Sequence, residues 1–146
     1  MVNKMVNKMV NNWKGWIIDK GLKDKFILSK LNVINSKIEE NMEGDEKQIW
    51  TLYTIKISNE KIDEVSKVLE NLIKTEYYTH FTNGKELIII FSGKSFKIKL
   101  NSVGKETNYG ISDFEAKTED KKIWQSAVEY GTTNGKVDPR YLIKVN

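Results

Sequence analysis

The stretch YYTHFTNGKELIIIFSGKSFKI, residues 77–98, predicts a three-stranded β-meander. Asn83-Gly84 is typical of a two-residue type I′ hairpin turn, whose central positions both need positive φ. This turn would place His80 opposite Leu87, and a second turn follows around Gly93. One face of the meander is then the core side, and it carries Tyr78, His80, Leu87, Ile89, Phe91, Phe96, Ile98 and Leu100.

The residues before the meander predict further strands and two helices. WKGWII (13–18) and KQIWTLYTIKI (47–57) are rich in the aromatic and β-branched residues typical of strands, and NVINSKIEE (32–40) alternates as a strand does. GLKDKFILSKL (21–31) indicates a short helix. The clearest helix follows residue 60, where one apolar stripe is formed by Ile62, Val65, Val68, Leu69 and Leu72.

The predicted order β-α-β-β-α-β is that of a ferredoxin-like two-layer α+β sandwich. The meander extends it, and EDKKIWQSAVEYG (119–131) adds a C-terminal helix. Residues 101–118 are polar and without sustained period, which predicts a loop insertion. The repeated MVNK unit predicts a flexible leader over residues 1–12, followed by a single domain over 13–146. Such a fold hosts many unrelated functions.

Composition excludes several classes of site. The 146 residues contain no cysteine and one histidine, which excludes disulfides, thiolate metal sites, cysteine nucleophiles and multi-histidine metal sites. We therefore expect no cofactor and no metal, with carboxylate-bound magnesium or calcium as the one metal option left open. No segment reaches the roughly 18 to 20 apolar residues of a membrane span. We expect a soluble, cytoplasmic protein.

The net charge of +4 is weak support for nucleic-acid binding. Of the 24 basic residues only Arg140 is arginine, and the 20 acidic residues are interspersed along most of the chain. Lysine neutralises phosphate as a point charge, whereas bidentate base and phosphate recognition depends on arginine. We interpret the basic excess as compositional.

His80 is the candidate catalytic residue, because an imidazole can act as general acid or base near neutral pH. The alternative is a core histidine held by hydrogen bonds, as most polar residues on apolar faces are. No serine nucleophile elbow or cysteine accompanies His80 in the sequence. The sequence favours the core histidine and leaves the enzyme as the alternative.

Tyr77, Tyr78 and Phe81 are the candidate ligand-binding residues. Tyr77 and Phe81 share the other face of the meander with Lys97, and aromatics beside lysines on a sheet can stack single-stranded RNA bases. The signature K/R-G-F/Y-G/A-F-V-x-F/Y is missing from the chain. Coverage of both rings by the C-terminal helix is the competing interpretation.

Two other motifs are weaker. SGKS (92–95) echoes the end of a phosphate-binding loop, but it joins two predicted strands, and Ile88 stands where the earlier glycine is required. An acidic group can hold calcium or magnesium in principle, yet its spacing matches no EF-hand and favours a solvated hairpin tip. Its members are Glu39, Glu40, Glu43, Asp45 and Glu46.

The four tryptophans are expected mainly to pack in the core. Any exposed remainder of Trp13, Trp16, Trp50 and Trp124 would offer a self-association surface. Unpaired sheet edges invite the same outcome, so a homodimer is a natural arrangement for the predicted fold.

The chain resembles a group of small bacterial and archaeal proteins that have no known biochemical role. The shared features are the WKGWII start, a LYT…IDEV…LE unit, a YxxHFxNGKxLxxxFxGKxF-like meander and a closing WxxAxxYG helix. The resemblance covers residues 13–100 and 124–135, and residues 101–118 are an insertion relative to it. It implies the domain limits and no activity.

We therefore expect a non-enzymatic binding or protein-interaction module whose partner is an unknown protein or small molecule. A small enzyme that uses His80 as general acid or base is the alternative. A single-stranded RNA-binding domain is the third hypothesis.

Overall fold

The computed structural model describes residues 12–107 and 110–146, without the side chain of Glu43. The predicted leader lies outside these residues except for Asn12, which begins the first strand. The strands are β1 Asn12–Ile18, β2 Asn32–Glu43, β3 Glu46–Ser58, β4 Tyr78–Thr82, β5 Glu86–Phe91, β6 Lys94–Val103, β7 Glu106–Thr107, β8 Gly110–Ile111, β9 Asp113–Ala116 and β10 Lys144–Val145. The α-helices are α1 Ile62–Leu72 and α2 Lys121–Thr133.

The main sheet has eight strands in the order β10-β9-β6-β5-β4-β1-β3-β2. Neighbours are antiparallel except β9 and β10, and β7 and β8 form a separate two-stranded hairpin. The predicted mixed α+β class is confirmed. A ferredoxin-like two-layer sandwich does not describe this sheet, because β5, β6, β9 and β10 double the four strands of that fold.

Both faces of the central strands are buried, which makes three layers rather than two. The run ELIIIF of β5 alternates between the faces, so Leu87, Ile89 and Phe91 lie on one and Ile88 and Ile90 on the other. The first face packs against Ala127 of α2 and is called the α2 face. The second packs against Ile62 and Leu69 of α1 and is called the α1 face.

The meander is present, but its first turn differs from the predicted one. His80 pairs with Ile89 and Thr82 with Leu87, so the loop is two residues longer than a type I′ turn allows. Asn83 closes it, because its Oδ1 accepts hydrogen bonds from the Lys85 and Glu86 amides at 2.9 and 2.7 Å. A two-residue slip keeps every side chain on its predicted face, so His80 still lies with the apolar residues of the α2 face.

Two other predicted segments differ from the structure. Residues 21–31, expected to be a short helix, contain only a 3-10 turn at Lys25–Lys30, which follows another at Asp19–Gly21, and Phe26 is exposed. Residues 101–118, expected to be a loop, include the end of β6 and the strands β7, β8 and β9. These strands are either very short or paired with strands that are distant in sequence, and local periodicity does not reveal such strands. Within the described residues, no helix is long and apolar enough to cross a membrane.

Candidate functional site

His80 lies in the middle of β4, where the sheet buries it. Its backbone pairs with Trp16 of β1 on one side and with Ile89 of β5 on the other. The ring centroid lies 5.8 Å from that of Trp16 and 5.7 Å from that of Phe114, which it meets edge-on. The residue retains 8% of its surface exposed. The imidazole is therefore part of an aromatic core cluster.

One nitrogen of this imidazole has a partner and the other has none. The ring donates a hydrogen bond to the backbone of Ile111 in β8, while Nε2 is buried without a partner among the described residues. Burial lowers the pKa of His80 to about 4, against a smaller opposite effect of the Ile111 hydrogen bond. The ring is therefore neutral at pH 7, which makes it a poor general acid. Its burial also separates it from any dissolved substrate.

The three candidate ligand-binding aromatics are divided between the two faces of the sheet. Phe81 is fully buried on the α1 face, and half-buried Tyr77 packs against the same core. The helix that covers this face is α1 and not the C-terminal helix. Tyr78 lies on the α2 face, where its hydroxyl donates to the Tyr141 carbonyl and burial raises the pKa of its phenol to about 12. Phe81 therefore offers no surface on which a base can stack.

The acidic residues of the β2–β3 hairpin are spread along the two strands. Glu40 forms an ion pair with Lys47 at 3.1 Å. In the part of the chain that the structure describes, no group of three His, Asp or Glu side chains is arranged to hold a metal ion. SGKS forms the turn between β5 and β6, with Gly93 at φ 90°. These positions supply neither a metal site nor a strand-to-helix phosphate loop.

A cleft of about 450 Å³ opens on the α2 face beside β2. Its lining includes Trp16 of β1, Thr54 of β3, and Asn35 and Lys37 of β2. Lys14 also lines it, in an ion pair with Glu106 at 2.7 Å and with its Nζ 5.8 Å from the centroid of the Trp16 ring. The sequence did not indicate this cleft, because its residues come from four strands that are distant along the chain.

The β2 strand forms one edge of the sheet. All twelve of its residues lie beside β3 alone, and β1 pairs with β3 only from Leu52 onward. The outer half of the β2–β3 hairpin therefore projects beyond β1 as a two-stranded ribbon. One outward backbone group of β3 in this ribbon has a partner, since the Thr51 amide donates a hydrogen bond to Asp19 Oδ1 at 3.0 Å. On its outer side β2 pairs with no other described strand.

One face of this ribbon exposes large apolar side chains. Ile38 and Met42 are 71% and 65% exposed, and Ile49 on β3 is 49% exposed. Their pairing partners are Thr51, Lys47 and Glu40, so all three project from the same face. We call these three residues the ribbon patch. The alternation of β2 places Ile38 and Met42 on one face, but only the structure shows that the described residues leave this face exposed.

Comparisons with known proteins assign the chain to no family. No protein-family model matches the chain, and neither a curated protein nor a solved structure matches it significantly. The resemblance based on the WKGWII and meander motifs therefore stays a prediction.

Proposed function

We propose that this protein is a non-enzymatic protein-interaction module that binds a protein partner through the edge of β2 and the ribbon patch. The observation that carries the proposal is the coincidence of a long sheet edge, beside which no described strand lies, with three exposed apolar residues on the adjoining face. Exposed edges present rows of unpaired N–H and C=O groups, and added strands give affinity through the main chain. Large exposed apolar patches mark interaction surfaces.

The competing enzymatic hypothesis has less support. It requires an accessible imidazole that changes protonation near neutral pH, whereas the His80 ring is packed between Trp16 and Phe114 and its pKa is about 4. The RNA hypothesis requires exposed rings, and Phe81 is buried. The absence of cysteine from the sequence supports the further proposal of a cytoplasmic location.

We expect affinity capture from cells that produce the protein to depend on the ribbon patch. Ile38→Lys and Ile49→Lys place a charge in the proposed interface and should each remove the captured partner. Val68→Lys is the matched control, since it puts the same charge on an exposed apolar position of α1. Partners that are captured equally by all four proteins would contradict the proposal. Circular dichroism checks that every variant is folded.

Binding of a small anionic ligand in the cleft is a second candidate function. Lys14, Lys37 and Asn35 line the cleft beside Trp16, and an anion would compete with Glu106 for the Lys14 ammonium. We expect inorganic phosphate to shift the amide resonances of Asn35 and Thr54 in an NMR titration. Lys14→Gln should raise the dissociation constant for phosphate about tenfold or more, because it removes a charge-assisted hydrogen bond. Lys122→Gln on α2 should leave it unchanged. Shifts that survive Lys14→Gln would remove this function.

We further propose that residues 12–82 are a ferredoxin-like unit within the larger sheet. The order β4-β1-β3-β2 with antiparallel neighbours supports this proposal. The two chain connections also share one face, because Ile27, Leu28 and α1 all pack on the core of the α1 face. The first helix of the unit is reduced to 3-10 turns.

A further inference from the structure

We propose that the partner of the ribbon is a second copy of this chain, whose β2 pairs antiparallel with β2 across a twofold axis at Ile38. This inference rests on the proposed function above and adds to it the identity of the partner and the register of pairing. Two properties of β2 determine the register: which of its backbone groups point outward, and which side chains would lie opposite each other.

The turn of the β2–β3 hairpin decides which backbone groups point outward. The loop has two residues, and Gly44 at φ 64° precedes Asp45, as in a type II′ turn. The flanking pair, Glu43 and Glu46, is then a hydrogen-bonded pair, and hydrogen-bonded pairs alternate from it along the strand. Odd-numbered residues of β2 therefore bond to β3. The even-numbered residues from Ser36 to Met42 direct their N–H and C=O groups outward.

The charges on β2 select one twofold register. An axis at Lys37, Glu39 or Glu40 would place that charged residue directly opposite its own copy, which is destabilising. An axis at Ser36 aligns Lys37 with Asn35 and brings no opposite charges together. An axis at Ile38 places Lys37 of each copy opposite Glu39 of the other, twice. Charges on edge strands normally prevent pairing, but here their spacing permits this one register.

The side chains at the proposed axis fit the same arrangement. Ile38 is the most exposed large apolar residue of the described chain, and it would meet its own copy as a hydrogen-bonded pair. The register shift between Val33 and Asn35 in β2 ends regular pairing on one side. Residues 35–41 of each copy would then form the contact, and Asn41 of the second copy would adjoin Asn35 at the wall of the cleft.

Charge reversal tests the register directly. We expect sedimentation equilibrium to show a dimer, with a dissociation constant raised about tenfold or more by Lys37→Glu and by Glu39→Lys. The double variant Lys37→Glu/Glu39→Lys restores both opposite-charge pairs and should return the constant to within about threefold of the wild type. Lys122→Glu, an exposed charge reversal on α2, should have no effect. Equal weakening by the single and double variants would overturn the register.

Engineered disulfides give a second test, because the chain has no cysteine of its own. In the proposed register positions 37 and 39 form a non-hydrogen-bonded pair with Cα atoms about 4.5 Å apart, a distance that a disulfide spans. A mixture of K37C and E39C should therefore oxidise to a cross-linked heterodimer. Either variant alone should cross-link poorly, because its two cysteines then lie diagonally across the paired strands, about 7 to 8 Å apart. Efficient cross-linking of K37C alone would contradict the axis at Ile38.

The outcomes separate this inference from the proposed function. A wild-type protein that stays monomeric at high concentration, while capture of another protein still depends on Ile38 and Ile49, overturns the second copy as partner and leaves the interaction module intact. A monomer together with capture that ignores the ribbon patch overturns both. A dimer that the double charge swap rescues supports both.

Discussion

Replacing Phe81 by Ala is expected to lower the free energy of unfolding by about 4 kcal/mol, because it removes a fully buried aromatic ring. Phe81 pairs with Gly15 of β1, and its ring occupies the space where a side chain at Gly15 would lie. Gly15 has no side chain that can move into the vacated volume. The cavity should therefore persist, which keeps the cost near the middle of the range of about 3 to 5 kcal/mol for such substitutions.

Urea unfolding followed by circular dichroism measures this cost, with an unchanged m-value as the sign that the loss is one of stability. Phe26→Ala is the matched control: Phe26 is 65% exposed in a 3-10 turn, and its removal should change stability by less than about 0.5 kcal/mol. Similar losses for the two variants would mean that β4 does not lie against β1 as described. A loss at Phe81 alone would support the buried α1 face.

His80 is expected to make the protein lose stability as the pH falls from about 6.5 to about 4. The ring of the unfolded chain binds a proton near pH 6.5, whereas burial keeps the folded ring neutral until about pH 4. Between these values the unfolded state binds more protons, so stability decreases by about 1.4 kcal/mol per pH unit. The accumulated loss is about 3 kcal/mol below the window, and there is none above it.

Comparison with His80→Gln isolates this effect from the carboxylates, which titrate in both proteins. The difference in unfolding free energy between wild type and variant should change by about 3 kcal/mol from pH 7 to pH 4, in the direction of a relatively weaker wild type at low pH. NMR adds an independent readout, because the sequence holds one histidine and therefore gives one set of imidazole signals. These signals should not titrate until about pH 4.

Parallel pH profiles for the two proteins, with a titration near pH 6.5, would contradict the buried ring. The same result would support the enzymatic alternative, in which His80 is an accessible general acid or base. The prediction therefore separates a core histidine from a working one. It does so without knowledge of any substrate.

Much of the fold could be predicted from local patterns. The apolar stripe of Ile62 and Leu69 indicated α1, and the alternation of residues 77–98 assigned His80 to the face that also carries Leu87 and Ile89. The hairpin register was wrong by two residues, because Asn83 closes a longer loop through its side chain instead of adopting positive φ. Sequence alone does not distinguish these two uses of an Asn-Gly pair.

The candidate site was less predictable than the fold. The sequence assigned Phe81 to an open face, but the run ELIIIF already carried apolar residues for two faces, and α1 covers the second one. The exposure of Ile38 depends on the position of β2 at the sheet edge. An alternating strand has the same pattern at an edge or in the interior whenever one face is polar, so the pattern did not locate the ribbon patch.

The amino-acid sequence by itself determined which side chains share a face, where α1 and α2 form, and which metal and thiol chemistries are excluded. These properties follow from the twofold period of strands, the 3.6-residue period of helices and the residue types present. Only the tertiary structure decided that β5, β6, β9 and β10 extend the sheet beyond β4, that His80 is enclosed by Trp16 and Phe114, and that Ile38 of β2 is exposed. Strand order and burial depend on contacts between residues far apart in the chain, and no local period encodes them.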